Sequence, residues 1–338
     1  MAKKDVPEFH KALLDHRNYP SAKRRIKYEE TRSSGLYKTG EFVYQVRKPR
    51  RGYDSPALKE VIAHETLTVG KRWAPEVYHE VVPIVRIGEK FALAEDGEAV
   101  DYALKLTQLS EHYWADRLME QGKLTPTVVG RVARYLADQH VLCRAEAKAA
   151  EAGRPEHFRE LFEEVVYQVR KFADRTAPTA LFDMVTRPVI RFVDENRKLF
   201  LRRQKKGFIV ECHGDFVPEH IYIKGKETFA VFPLARQEKF RVLDAANDVA
   251  TLLNEFLRRK DPDNGQLFLK RYMACAKDRE VSRLTPAYQT LQAMRSGLIL
   301  SEQMSAEGLS EAERSARAKA AQSYFQIAVQ AAREIPRD

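Results

Sequence analysis

Glu211-Cys212-His213-Gly214-Asp215-Phe216-Val217-Pro218-Glu219-His220-Ile221-Tyr222-Ile223 is the stretch on which the reading of the fold turns. The apolar run Phe208-Ile209-Val210 reads as a strand delivering His-Gly-Asp into a loop, and a second strand begins at Ile221. Asp215 at the strand end is placed to accept a proton from a hydroxyl group, and Gly214 permits the tight backbone turn beside it. Alone, a loop Asp is most often a turn or cap residue, so the flanking sequence supplies the meaning. Ile221-Tyr222-Ile223, the turn Lys224-Gly225-Lys226 and residues 228–232 read as a short hairpin. Helical spacing is expected from Leu243 onward. That sets Asp244 and Asp248 at i and i+4 on one face, with Val249, Leu252, Leu253 and Phe256 as the apolar stripe. Carboxylates in a first helical turn can cap that helix or hold a neighbouring loop.

Outward from this stretch, the N-terminal third is rich in strand signals. Leu36-Tyr37-Lys38 and Phe42-Val43-Tyr44-Gln45-Val46 flank the turn Thr39-Gly40-Glu41. The pattern predicts a helix over 55–73, ending before Ala74-Pro75, and strands at 81–87, 91–94 and 99–106 with turns at Gly88 and Asp96-Gly97. From Thr125 the spacing becomes helical. Val129, Val132, Leu136 and Cys143 recur at helix intervals, as do Phe158, Leu161, Phe162, Val165, Val169 and Phe172. The expected class is α+β, a bilobal protein-kinase-like arrangement. It has a strand-rich N-lobe over 1–108 and a mainly helical C-lobe over 109–338, in which 211–248 is the segment carrying chemistry.

The chain of 338 residues is long enough for one large domain or two lobes with sizeable cores. A hydrophobic fraction of 44% with 31% charged residues is a globular balance rather than a disordered one. The start, Met1-Ala2-Lys3-Lys4-Asp5, carries no apolar core of a secretory signal, and no run approaches a membrane span, so a cytoplasmic protein is expected. Cys143, Cys212 and Cys275 are scattered without metal-type spacing and read as small buried residues. The formal net charge of +10 is clustered at Lys23-Arg24-Arg25, Lys48 with Arg50-Arg51, Arg202-Arg203 with Lys205-Lys206, and Arg258-Arg259-Lys260. Such clusters suit nucleic acid or another polyanion, but no aromatic–basic alternation accompanies them, and solvated helix ends and loops are the simpler expectation.

His-Gly-Asp, a metal-type side chain five residues later, a hairpin, and then Asp-x-x-x-Asp-hydrophobic-Ala together resemble the aminoglycoside phosphotransferase family. More closely, the chain resembles an uncharacterised bacterial branch in which that domain is often followed by a P-loop ATPase. Phe42-Val43-Tyr44-Gln45-Val46-Arg47-Lys48-Pro49, Trp73-Ala74-Pro75-Glu76-Val77-Tyr78 with Val82-Pro83, Gly122-Lys123-Leu124-Thr125-Pro126 and Lys239-Phe240-Arg241 carry the likeness, which runs from about Leu13 to Ala332. No Gly-x-x-x-x-Gly-Lys-Ser/Thr occurs, so the ATPase module is expected to be absent.

The resemblance implies ATP or GTP with magnesium as cofactors and a small hydroxylated acceptor. Asp215 takes the place of the residue that orients or deprotonates the acceptor. His220 stands where the wider family has an Asn metal ligand, although imidazole suits magnesium less well than oxygen does. Glu65 corresponds to the N-lobe helix Glu, and His213, Asp244 and Asp248 to structural support of the loop. Two positions depart from the pattern. Gln45 occupies the place of the strand Lys that pairs with nucleotide phosphates; it can hydrogen-bond Glu65 but brings no charge. Arg47 lies two residues on, on the same strand face. Pro233 occupies the place of the magnesium-binding Asp after the hairpin, and the nearest acid downstream is Glu238. Removing one preorganised electrostatic group of this kind commonly costs about 10²–10³ in rate. The expectation is therefore a catalytically degraded, pseudokinase-like protein that binds a ligand or a protein partner, with an active phosphotransferase as the alternative.

Overall fold

A computed structural model describes residues 8–19, 25–31, 34–48, 55–145, 147–306 and 308–337. The chain divides into two compact units between His112 and Tyr113, a few residues beyond the boundary expected after residue 108.

The first unit begins with the one-turn helix α1 (His10–Leu13) and is built on a six-stranded antiparallel sheet ordered β1-β2-β3-β6-β4-β5. The strands are β1 (Lys27–Glu30), β2 (Ser34–Lys38), β3 (Phe42–Arg47), β4 (Tyr78–Ile87), β5 (Lys90–Leu93) and β6 (Glu98–Thr107). β1 was not legible in the sequence. Its residues Lys27-Tyr28-Glu29-Glu30 are largely solvated, as suits an edge strand that must not invite further pairing. Helix α2 (Pro56–Trp73) starts where Ser55 Oγ accepts from Leu58 N and Pro56 fills the first turn. It packs on β6 and β4. Phe9, Leu13 and Tyr19 cover one face of the sheet together with Tyr37, Tyr44, Val46, Ile84 and Ala103. The alternate residues of β3, Val43 and Gln45, face the other way, opposite Leu106 and Leu104.

The second unit contains α3 (Ala115–Glu120), α4 (Pro126–Leu142), α5 (Ala149–Ala152), α6 (Pro155–Arg170), α7 (Ala180–Glu195) and α8 (Arg197–Lys205) before the informative stretch. After it come α9 (Glu238–Arg241), α10 (Ala246–Arg258), α11 (Pro262–Ala276), α12 (Val281–Gln303) and α13 (Glu311–Arg333). Two small antiparallel ribbons interrupt the helices. β7 (Ile209–Glu211) pairs with β10 (Val242–Asp244), and β8 (Ile221–Lys224) pairs with β9 (Glu227–Ala230). Pairing with β7 holds Val242–Asp244 extended, so the helix begins at Ala246 and not at Leu243. Asp244 and Asp248 are accordingly not neighbours on one helix face. α10 is buried along its whole length from Ala246 to Phe256, so its apolar stripe is one side of a central helix rather than the inner side of a surface helix.

Arg203 corrects the reading of its basic cluster as solvated. Its side chain is 0% exposed. Nε and Nη2 donate to Asp244 at 2.6 and 2.8 Å, and Nη1 and Nη2 donate to Asp278 at 2.7 and 2.8 Å. Asp278 Oδ1 also accepts from Val281 N at 3.1 Å at the start of α12. One guanidinium thus ties α8, β10 and α12 together. Cys143 and Cys212 are buried, whereas Cys275 is partly exposed, unlike the expectation for all three. No described helix is long and apolar enough to cross a membrane.

Arg203→Met leaves two buried carboxylates without their cation. It is expected to lower stability by about 3–5 kcal/mol, read as a shift of the urea midpoint at unchanged slope.

Candidate functional site

β7 ends at Glu211, whose N–H donates to Cys143 O at 2.7 Å, and Cys212 N donates to Arg241 O at 2.8 Å. The backbone then turns at Gly214 with φ of +77°; a Cβ there would lie 2.9 Å from Leu234 Cβ and 3.3 Å from Phe240 O. Only glycine satisfies both the dihedral and the space. The turn is held by Asp248 in the first turn of α10. Its Oδ2 accepts from His213 N at 2.6 Å and its Oδ1 from Gly214 N at 2.9 Å. Asp248 is 0% exposed and lies 3.2 Å from His140 Nε2, while His140 Nδ1 is 2.8 Å from Tyr272 Oη. Hydrogen bonds to a charged group contribute about 1.5–3 kcal/mol each, so the two amides are a strong fixing point for the loop.

His213 is fully buried and donates from Nε2 to Val231 O at 3.0 Å. Burial pushes its pKa down to about 4, against the pull of Asp248, so the ring is neutral near pH 7. Asp215 stands at the open side of the turn, its side chain 45% exposed. Its carbonyl accepts from Val217 N at 2.9 Å and from His220 Nδ1 at 3.0 Å. A carbonyl can only accept, so Nδ1 carries a proton in this contact. A histidine held in this way by a backbone carbonyl is oriented as metal-binding histidines commonly are.

The other positions that the resemblance assigns to the metal bring few oxygen donors. Pro233 has no ligand atom in its side chain, and Phe232 before it adopts φ of +62°, a conformation that is costly for a residue preceding proline. Glu238, the acid expected to be nearest, opens α9 and pairs with Lys148 Nζ at 2.5 Å. Asp215 and His220 offer one carboxylate and one imidazole, a poor match for an ion that demands near-octahedral oxygen ligation. His140, Cys212 and Asp248 also bring ligand atoms within 4.8 Å of one another. Here both Asp248 oxygens already serve the loop amides, and burial holds the Cys212 thiol protonated by pushing its pKa up. The trio is accounted for as core hydrogen bonding.

In the first unit, Gln45 is half-buried and donates to Ser34 Oγ at 3.1 Å, instead of to Glu65 as the sequence suggested. Arg47, at the end of β3, and Glu65, on α2, are both exposed. Asp244 lies in the core, bound to Arg203 and not to the loop. The basic clusters are largely paired: Lys48 with Glu30, Arg202 and Lys206 with Glu280, Arg258 with Glu255, and Arg259 with Glu219. Lys23, Arg24, Arg50 and Arg51 lie outside the described residues.

Sequence reasoning missed Arg295, whose Nη1 donates to Gly214 O at 3.0 Å. A signal was present, since Arg295 is the single charged residue between Leu284 and Ser301. His140 was also missed; it occupies one position of an ordinary-looking helix and carries no signal of its own.

No protein-family model matches the sequence. Over 129 residues the chain is 30% identical to uncharacterized proteins of Mycobacterium tuberculosis and Mycobacterium bovis, a match spanning 38% of this chain and 26% of those proteins. The chain thus spans about a quarter of the length of the curated relatives it matches. A choline/ethanolamine kinase family protein from Mesorhizobium loti superposes with a TM-score of 0.54 at 13% identity, covering 97% of this chain and 100% of that one. A thermostable mutant of aminoglycoside phosphotransferase APH(4)-Ia gives 0.53 at 12% identity, covering 91% and 94%. Amicoumacin kinase hAmiN, solved with AMP-PNP and Ca2+, gives 0.50 at 12% identity, covering 94% and 91%. These likenesses establish the fold: the chain is α+β and kinase-like.

The neutral, buried His213 makes stability depend on pH. The unfolded ring takes up its proton near pH 6.5 and the folded ring only near 4. Stability is therefore full above pH 6.5 and falls as pH drops toward 4, by roughly 3 kcal/mol in all. In His213→Asn this component of the slope is expected to vanish, measured by urea unfolding at a series of pH values.

Proposed function

We propose that this kinase-fold chain is of the aminoglycoside phosphotransferase type, has lost most or all phosphoryl transfer from a magnesium–nucleotide complex, and acts by binding a ligand or partner. The observation that carries this reading is the Phe232-Pro233 turn, where the metal carboxylate of such kinases would stand. Phe232 holds a left-handed backbone and Pro233 offers no oxygen from its side chain. The strand position that would bring a lysine carries Gln45, whose amide is spent on Ser34. Phosphoryl transfer depends on charge neutralisation by metal and cationic groups. Two such losses at about 10²–10³ each leave little of the usual rate.

A second reading is an ATP- or GTP-dependent phosphotransferase acting on a small hydroxylated molecule. It is favoured by the Asp215 loop, which keeps a half-exposed carboxylate and a fully braced backbone. Under this reading Asp215→Ala abolishes any phosphorylation of an acceptor while leaving nucleotide affinity within a few-fold.

Isothermal calorimetry with ATP, with and without magnesium, separates the two. The expected result is no tight binding that requires the metal. Tight magnesium-dependent binding, together with steady turnover of a hydroxylated acceptor that Asp215→Ala removes, would establish the second reading in its place.

A further inference from the structure

α12 is a long helix on which one cation stands alone in an otherwise uncharged run. Arg295 is only 7% exposed. Its Nη1 donates to Gly214 O at 3.0 Å and to Gln292 Oε1 at 3.3 Å, and its Cζ lies 4.7 Å from the centre of the Phe240 ring. Gln292 donates in turn to Asn247 Oδ1, so a line of buried polar groups runs from α10 across α12 to the loop. Among the described residues no carboxylate lies within 4.0 Å of the guanidinium. A buried cation without an ion pair is costly and calls for a reason. Burial pushes its pKa down, and the two groups whose charge opposes that are Asp215 and Asp248.

We propose that Arg295 is the positioning residue for Asp215. Asp248 grips the N–H side of Gly214 and Arg295 grips its C=O, so the one residue in the turn without a side chain is fixed at both of its peptide groups. The direction in which the next residue, Asp215, presents its carboxylate follows from that fixing. The same guanidinium supplies positive charge near two acids that flank the turn. The role rests on the reading of Asp215 as the residue that a ligand or acceptor meets.

The test uses Arg295→Met, Arg295→Lys and, as a control of similar thermal stability, Phe325→Leu, which trims a buried ring of α13 that packs on α12 at Gly297 without removing the guanidinium. Amide exchange at Gly214 and Val217 is expected to rise roughly tenfold in Arg295→Met, the loss of one charge-assisted hydrogen bond. It returns most of the way in Arg295→Lys and stays near wild type in Phe325→Leu. The imidazole Nδ1–H signal of His220, which reports the position of Asp215 O, shifts in Arg295→Met alone. Unchanged loop exchange and an unmoved His220 signal in Arg295→Met overturn the proposal, as does an equal loop opening in Phe325→Leu. Should Arg295→Met open the loop while Asp215→Ala leaves both the binding of small hydroxylated molecules and any transfer to them unchanged, the clamp stands and the functional reading of Asp215 falls.

Discussion

A carboxylate buried to 0% exposure, that of Asp248, sets the terms for the second unit. An ionised group in that position costs several kcal/mol unless its oxygens are satisfied. Two backbone amides of the turn and a nearby imidazole satisfy them, and these partners come from two separate parts of the chain. His213 and Gly214 follow β7, His140 belongs to α4, and Tyr272 on α11 holds the far side of the imidazole. The loop is therefore not shaped by its own sequence alone. It takes its shape from a central helix, and α10 can hold it only because that helix is enclosed on every side.

Charge in the interior is distributed with the same economy. Arg203 balances Asp244 and Asp278 through paired, short hydrogen bonds, and in doing so joins the end of β10 to the beginning of α12. Burying such ions contributes little net stability, but separating them is expensive, so they act chiefly to fix which elements meet. Three amide hydrogen bonds cross between α10 and α12. Asn254 and Gln289 bond each other's side chain and backbone, and Asn247 accepts from Gln292. Buried hydrogen-bonded amides specify one register between two helices more sharply than an apolar seam does. That register is what carries Arg295 to Gly214.

Under the proposed function, the groups suited to chemistry are unevenly divided. The loop that carries Asp215 is braced, with Asp215 half in solvent and His220 turned by a backbone carbonyl. In the proposed function, the positions that would hold phosphate and magnesium carry Gln45 and Pro233. A loop retained to this degree beside groups lost elsewhere fits a protein that still binds something at Asp215. This is why a binding role is preferred here to simple decay of an enzyme.

Local patterns in the sequence determined the strand that delivers His-Gly-Asp, the β8–β9 hairpin, the capped helix from Pro56 to Trp73 and the change from strands to helices after the first unit. Each of these is written in neighbouring residues: alternation, a cap followed by proline, a glycine turn. Tertiary structure decided the rest. Val242–Asp244 is a strand because β7 lies beside it, although its own spacing reads as helix. Arg203 looks like one more solvated basic residue until two distant acids surround it. Arg295 is a lone cation in an otherwise uncharged run that the sequence reading passed over, and its partner, the carbonyl of Gly214, is 81 residues away. A backbone carbonyl has no residue type that a sequence can display, so only the folded chain could bring that pair into view.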